Sequence, residues 1–237
     1  MVAALITGRG GSTLKGKNII EVCGKPIMGY PAEAAKKSKL IDAWYCSSDD
    51  EDILKVGERF GYKRIVRPSE LATPTSQHAD TLVHALEKMN EDGCRPDIVV
   101  VLLANNPCTK TLWIDDCLKK LMNSPELTAV VPAYEDSDHH PLRAKKLRDG
   151  ALVPFVDSGD KPVSSNRQDL EPCYFLCHNF WCIRASAIMS RDGHPPWSFM
   201  GKNVSPYIIG ETVDIHDVRD VEAIERWLEA NGEVCCD

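Results

Sequence analysis

Long apolar runs are missing from this chain. The longest, Ile98 to Ala104, falls far short of the ~20 residues that cross a bilayer, so no membrane-spanning segment is expected. The opening Met-Val-Ala-Ala-Leu-Ile-Thr-Gly-Arg has neither a basic start nor an extended apolar core, the two marks of a secretory signal, and this points to a cytoplasmic protein. No C-x-x-C occurs among the ten cysteines, and the spacing of Cys173, Cys177 and Cys182 suits no common zinc site. Cys46, Cys108, Cys117 and Cys182 sit in apolar runs, which reads as reduced thiols in a cytosolic interior. An excess of positive charge is also missing: 28 Lys and Arg face 35 Asp and Glu, a formal net charge of −7. That balance argues against general nucleic-acid binding, which depends on neutralising phosphates, but leaves room for one nucleotide held by a local cluster of cations. Internal repeats and low-complexity segments are absent, which removes solenoids and fibrous arrays.

What is present is an ordinary globular composition, 43% hydrophobic and 27% charged over 237 residues, enough for one large α/β domain. Strand-like apolar runs alternate with helical periodicity. Strands are expected at Val2–Thr7, Ala43–Ser47, Lys63–Val66, Ile98–Leu103 and Thr128–Pro132. Helices are expected over Pro26–Lys39, after the acidic run Asp49–Asp52, and over Thr75–Asn90 and Lys110–Met122. Such alternation implies a largely parallel sheet with right-handed crossovers. The pattern changes between about 134 and 173, a polar stretch rich in Pro, Gly, Ser and Asp with only short strand-like pieces such as Leu152–Val156. It reads as a lobe inserted into a single domain spanning 1–237, or as a set of functional loops. Tyr174–Ile183 returns as a core strand, Thr212–Ile215 as a last strand, and Val218–Ala230 as a closing helix.

The loop after the first strand, Gly8 to Asn18, carries four glycines with Arg9, Lys15 and Lys17. Glycine lets the backbone approach a ligand closely with its N–H groups inward, and a triphosphate is the natural guest at the carboxyl end of a parallel strand. Gly11 to Lys17 matches the start of a P-loop. Asn18, however, stands where a magnesium-binding Ser or Thr belongs, and Gly24 and Pro26 follow too soon for a long helix. The G-x-G-x-x-G dinucleotide signature fails at Thr13.

Six segments, in order, resemble the CMP-sialic acid synthetases and the related cytidylyltransferases of nonulosonic and octulosonic acids. They are Arg9-Gly10-Gly11-Ser12 with Lys17-Asn18-Ile19 and Gly24-Lys25-Pro26-Ile27; Ser47-Ser48-Asp49-Asp50-Glu51-Asp52-Ile53; Arg67-Pro68-Ser69-Glu70-Leu71-Ala72; Asp80-Thr81 with His84-Ala85-Leu86; Arg167-Gln168 with Tyr174 and Asn179; and Val213-Asp214-Ile215. The resemblance implies a three-layer α/β fold of the nucleotide-diphospho-sugar transferase type, a homodimer formed through the inserted lobe, and transfer of CMP from CTP to an acidic 2-keto-3-deoxy sugar with release of pyrophosphate.

Carried over residue by residue, the resemblance implies that Gly8, Arg9, Gly10, Gly11, Ser12, Lys15 and Lys17 hold the triphosphate, with Arg9, Lys17 and Asp214 as the catalytic group. It implies Asn18 and Arg67 at the cytidine, with Ser76 and Asp80 nearby, and Arg167, Gln168, Tyr174 and Asn179 facing the sugar acid. Asn105 and Asn106 fall at acceptor positions, and the cations Arg143 and Lys145 suit a sugar carboxylate. Asp214 would bind Mg2+ or Mn2+, which prefer carboxylate and phosphate oxygens, and Asp217 or a water would complete the set because His216 is a poor magnesium ligand.

Three departures stand out. Ala104-Asn105-Asn106-Pro107-Cys108 replaces the family's Gln-Pro-Thr-Ser-Pro. Asp214-Ile215-His216 replaces Asp-x-Asp. The segment between Ser12 and Lys17 is one residue shorter. These leave open another nucleotide, a phosphorylated or phosphonate acceptor, or a relative that binds without catalysis. His78 and His84 read as structural, His139 and His140 as either substrate-binding or solvent-facing, and no general base is identifiable.

Overall fold

The computed structural model describes residues 1–11, 14–159 and 162–233; Ser12 and the Cys235–Cys236 pair lie outside the described residues. Val2–Thr7 (β1) is buried along its whole length because both faces of the strand are covered. It pairs in parallel with Ala43–Ser48 (β4) on one side and Ile98–Leu103 (β6) on the other. Between them in sequence lie the two-residue hairpin strands Glu21–Val22 (β2) and Lys25–Pro26 (β3), the helix Gly29–Lys37 (α1), then Glu51–Arg59 (α2), Lys63–Val66 (β5) and His78–Glu91 (α3). After β6 come Thr111–Asn123 (α4), Ala129–Glu135 (β7), the hairpin Lys145–Arg148 (β8) and Ala151–Pro154 (β9), then Tyr174–Leu176 (β10), Phe180–Arg184 (β11), Ala185–Ser190 (α5), Val204–Ile208 (β12) and Asp220–Ala230 (α6).

The sheet runs β5-β4-β1-β6-β11-β7-β12, with β10 joining β7 beyond the end of β11. Strands β10 and β11 are antiparallel to their neighbours and the remaining pairings are parallel. This is the three-layer, mostly parallel α/β architecture expected from the sequence. Alternate residues of β1 and β6 serve the two faces. Ala4, Ile6, Val100 and Leu102 pack under α1, α2 and α4, while Leu5, Val99 and Val101 pack with Leu82, Ala85 and Met89 of α3 and with Ile188 of α5. A third, smaller core joins Ile224 and Leu228 of α6 to Val22 and Ile27 beside the β2–β3 hairpin.

Four expectations need correcting. Pro26 is in β3, not in the first turn of a helix, and α1 begins only at Gly29, after the hairpin closes. The run Tyr174–Ile183 is two strands, broken where the buried Asn179 side chain accepts from Phe180 N and donates to Cys108 O. Thr212–Ile215 joins no strand; Ile215 N donates to Asn105 O in the loop after β6 instead. The last strand is β12, an edge strand that tolerates Pro206, which has no N–H to give. Among the described cysteines, seven are free thiols, six of them buried, whereas Cys23 is disulfide-bonded, so the expectation of uniformly reduced thiols does not hold.

Candidate active site

The chain order reverses at β1, which has β4 on one side and β6 on the other, and the loops that follow β1 and β6 meet at the carboxyl edge of the sheet. In such sheets this is where ligands bind. A cleft of about 200 Å³ opens there, lined by Thr7, Gly8, Arg9, Lys17, Asn18, Arg67, His78 and Asn105. The loop after β1 supplies its first wall. Gly10 packs against the amino end of α2, where an added Cβ would lie 2.6 Å from the Asp50 carboxylate, so a side chain is excluded there. That carboxylate caps α2 by accepting from Asp52 N and Ile53 N. The Gly10 N–H donates to Asp49 Oδ1 at 3.1 Å, so a carboxylate already sits at one loop amide. Asn18 is buried and its Nδ2 donates to Arg9 O, closing the loop on itself. Arg9 reaches across to the carbonyl of Thr73.

Arg67 enters from the end of β5. It is 7% exposed, its Nη2 donates to Ser47 O at 2.7 Å and its Nε lies 3.4 Å from Ser47 Oγ. Burial lowers its pKa, partly offset by Asp49, but a guanidinium stays charged. Nη1, the remaining corner of the fork, has no protein partner among the described residues, and the residue lines the cleft. Opposite stands His78, whose Nε2 lies 3.3 Å from Thr7 Oγ1 and whose ring packs against Trp181 and Phe199 at 5.6 and 5.8 Å. Burial, with the charge of Arg67 and His178 behind it, pushes this imidazole down to about 4, so it is neutral in the working range. Sequence reasoning placed His78 among structural residues and passed over Thr7. The available signal was that Thr7 is the polar last residue of an otherwise apolar strand.

The lowered His78 pKa carries a pH signature. As pH falls below about 6.5 the unfolded chain takes up this proton first, so the stability His78 contributes is full above that pH and lost on the way down to about 4. Between pH 6.5 and 5 this is about 2 kcal/mol at ~1.4 kcal/mol per pH unit. Urea unfolding of the parent and of His78→Gln across that window should show the variant with the flatter slope; parallel slopes would refute the assignment.

Asp214, from the far end of the chain, meets the cleft at Asn105. Its Oδ2 accepts from Asn105 Nδ2 at 3.1 Å and faces His216 Nε2 at 2.9 Å, while Oδ1 has no protein partner among the described residues. Two donors orient one oxygen and the other is left to a ligand, the arrangement of a carboxylate ready for a hard cation. Asp217 is engaged by its neighbour. Arg219 binds both its oxygens, at 3.0 and 2.6 Å, and holds its carboxyl down to about 2. His216 therefore contacts Asp214, and among the described residues at this end of the cleft Asp214 is the carboxylate with an oxygen left for a divalent ion. Magnesium characteristically takes one or two carboxylates with phosphates and waters, so the donor set suits it.

Other residues singled out from the sequence are placed elsewhere. Lys15 and Gly11 are exposed on the loop. Ser76 staples its own turn, donating to Glu70 O and accepting from Thr73 N. Asp80 pairs with Arg191 at 2.7 Å. Asn106 is fully buried, its amide spent on Thr212 and Cys108 N, and Asn179 is equally enclosed; neither side chain reaches the cleft. Arg167 and Gln168 line a second hollow of about 470 Å³ with Glu135, Asp136 and Asp138, at the carboxyl end of β7. Arg167 Nη1 holds both oxygens of Asp138 at 3.0 and 2.9 Å, and Tyr174 OH approaches Glu135 at 3.4 Å. Arg143 and Lys145 border a third hollow beside the β8–β9 hairpin. His139 faces solvent, its pKa raised by Asp136 at 2.6 Å, and His140 accepts from Leu142 N as a turn cap.

A family profile described as Cytidylyltransferase matches residues 3–151, the part of the chain that builds the glycine loop, Arg67 and Asn105. The chain belongs to the cytidylyltransferase family. It is a nucleotidyltransferase. It is 27% identical over 236 residues to a pseudaminic acid cytidylyltransferase of Campylobacter jejuni, covering 97% of both chains. It is 29% identical over 182 residues to the N-acylneuraminate cytidylyltransferase of Oncorhynchus mykiss, covering 75% of this chain and 39% of that one. Among solved structures, a CMP:2-keto-3-deoxy-manno-octonic acid synthetase complexed with CTP superposes with a TM-score of 0.71 at 15% identity, over 97% of this chain and 99% of the other, which shows the shared fold. Among the described residues no helix is long and apolar enough to cross a membrane.

Proposed function

We propose that this cytidylyltransferase transfers CMP from CTP to a 2-keto-3-deoxy sugar acid of the nonulosonate or octulosonate kind, in the cytoplasm and as a homodimer. The observation that carries the reading is the cleft where Arg9, Lys17 and Arg67 meet Asn105, with Asp214 hydrogen-bonded to that Asn105. Three cations suit a triphosphate, and two relatives matched over 97% of their length are named for pseudaminic acid.

In the reaction a hydroxyl oxygen of the sugar attacks the α-phosphorus, the bond to the β-phosphate oxygen breaks, and pyrophosphate leaves as the hydroxyl proton is lost. Little covalent work falls to the protein; positioning and charge stabilisation dominate. Arg9 and Lys17 hold the phosphates, and Arg67 presents its free corner to the nucleotide. The neutral His78 adds no charge beside Arg67 and packs the cleft wall. A magnesium ion held by Asp214 would offset the charge of the phosphates and acidify the attacking hydroxyl. Pyrophosphate release with each nucleoside triphosphate, against a panel of pseudaminic, legionaminic, sialic and octulosonic acids plus a phosphonate and a sugar phosphate, tests the assignment. Product masses equal to the acid plus CMP support it; release with no sugar acid, or with another nucleotide only, overturns it.

The dimer has its own support. Leu147 and Leu152 are cross-strand partners on the β8–β9 hairpin, each 74% exposed, and Phe155 follows at 60%. Apolar side chains so exposed on a hairpin of their own need a cover, and a second copy of the lobe supplies one. Sedimentation of Leu147→Glu/Leu152→Glu should give a monomer where the parent gives a dimer; a monomeric parent would refute the arrangement.

A further inference from the structure

His78 is set up to do more than fill the cleft wall. Its ring is fixed from behind. Trp181 and Phe199, both buried, pack against it, and Trp181 is itself held by the bond from its Nε1 to Cys177 O at 3.1 Å. At one edge of the ring Nε2 lies 3.3 Å from Thr7 Oγ1. The other nitrogen, Nδ1, has no protein partner among the described residues. It is not one of the two enclosed polar atoms left alone there, which are His84 Nδ1 and Thr109 Oγ1. Nδ1 is therefore open to solvent, on a half-buried residue that lines the cleft.

A neutral imidazole carries one donor and one acceptor, and the bond at one nitrogen decides the role of the other. Burial first, and the Arg67 charge second, keep this ring neutral. The same positive charge favours a lone pair over an N–H on the nitrogen open to the cleft. Nε2 is then the donor, to Thr7 Oγ1, and Nδ1 an acceptor without a partner. Arg67 offers the converse, a donor at Nη1 beside a fork otherwise spent on Ser47. At about 200 Å³ the cleft is smaller than the ~300–1,000 Å³ that encloses a drug-sized ligand, so it takes one part of a nucleotide at a time. Arg9 and Lys17 suit the phosphates, and the enclosed pair Arg67 and His78 suits a flat polar base.

We propose that His78 is a specificity-determining residue of the nucleotide site: its Nδ1 accepts from the exocyclic amine of cytosine, and Thr7 is the positioning residue that sets the tautomer. The inference rests on CTP being the nucleotide substrate. Glycine amides and cations grip any triphosphate, so choice among bases needs a group that meets the base edge. Cytosine carries an amine donor at C4 where uracil carries an acceptor oxygen. Uracil would set lone pair against lone pair and leave both unpaired in a partly dehydrated site, which costs more than one missing bond.

The test is calorimetry on the full-length protein with Mg2+, comparing CTP, UTP and the triphosphate of the pyrimidinone riboside that has no substituent at C4. The parent should bind CTP best, the pyrimidinone next and UTP least, with CTP at least ~10-fold ahead of UTP. His78→Phe keeps a ring against Trp181 and Phe199 but has no nitrogen. It should weaken CTP roughly tenfold, leave the pyrimidinone triphosphate nearly unchanged and bring the CTP-to-UTP ratio toward unity. His78→Gln, which returns an acceptor oxygen, should restore part of the ratio, and Thr7→Val should reduce it. Tripolyphosphate, which has no base, should bind every variant as it binds the parent. With CTP bound, ring nitrogen-15 NMR shifts, assigned by their loss in His78→Phe, should show Nε2 protonated and Nδ1 bare. Equal affinity of the parent for CTP and UTP, an unchanged ratio in His78→Phe, or the opposite tautomer would overturn the role of His78 while leaving CTP as substrate. An unchanged ratio in Thr7→Val would overturn the part given to Thr7. A parent that binds tripolyphosphate but prefers another nucleotide to CTP would overturn the CTP reading, and this inference with it.

Discussion

Asp214→Asn should lower the rate of pyrophosphate release at least ~100-fold while leaving the fold intact. Metal-site effects of 10–100-fold follow from disturbing even the partners of a ligand, and Asp214 is itself the carboxylate with an oxygen to offer. The amide keeps the shape and can still accept from Asn105, so the melting temperature should move by no more than a few degrees. A titration of Mg2+ or Mn2+ separates causes: the variant should need more metal at half-maximal rate, and CTP affinity without metal should change little. Asn105→Ala is the companion. It removes one of the two groups that orient Oδ2, and a roughly tenfold weaker response to metal is expected with the nucleophile and phosphates untouched. A parental rate in Asp214→Asn would remove this carboxylate from the mechanism. Asp217 cannot then take its place without breaking the pair with Arg219.

Strands that run through the middle of the sheet could be read because burial on both faces leaves no alternative to an unbroken apolar run. Val2–Thr7 and Ile98–Leu103 have their observed limits for that reason. Edges and loops obey different physics. Strand β12 carries Pro206 and alternates between exposed and half-buried positions, so neither apolar continuity nor β-propensity marks it. Thr212–Ile215 has the apolar residues of a strand, yet its partners are single atoms of the loop after β6, and only the tertiary structure reveals that.

The site divides in the same way. Glycines and cations in one loop announce a phosphate site through local chemistry, and Asn18, Arg67 and Asn105 do converge with Arg9 and Lys17. Burial is invisible at this level. Asn106 and Asn179 differ from Asn105 only in being enclosed, and their amides are consumed by the protein. Asp217 or a water reads from sequence as the substitute for a missing carboxylate, and the pairing of Asp217 with Arg219 is a tertiary detail that the sequence does not display.

Arg67→Lys is the second change expected to have a large effect, because charge is conserved while the planar fork is lost. The guanidinium uses Nη2 and Nε on Ser47 and keeps Nη1 for the cleft. A lysine ammonium is a single point at the end of a flexible stem. It can satisfy the Ser47 carbonyl or a ligand, but not both in this geometry. Hydrogen bonds to charged groups are worth ~1.5–3 kcal/mol, so the affinity for CTP should fall ~10–100-fold. Thermal stability should fall less, since the ammonium can still reach Ser47 O.

Comparing nucleotides then locates what Arg67 touches. If its free corner meets the base, CTP should lose more affinity than UTP and the preference should narrow. If it meets only phosphate, both should weaken by the same factor. Unchanged CTP binding would place the nucleotide elsewhere, and the buried cation would then be explained by Ser47 and Asp49 alone.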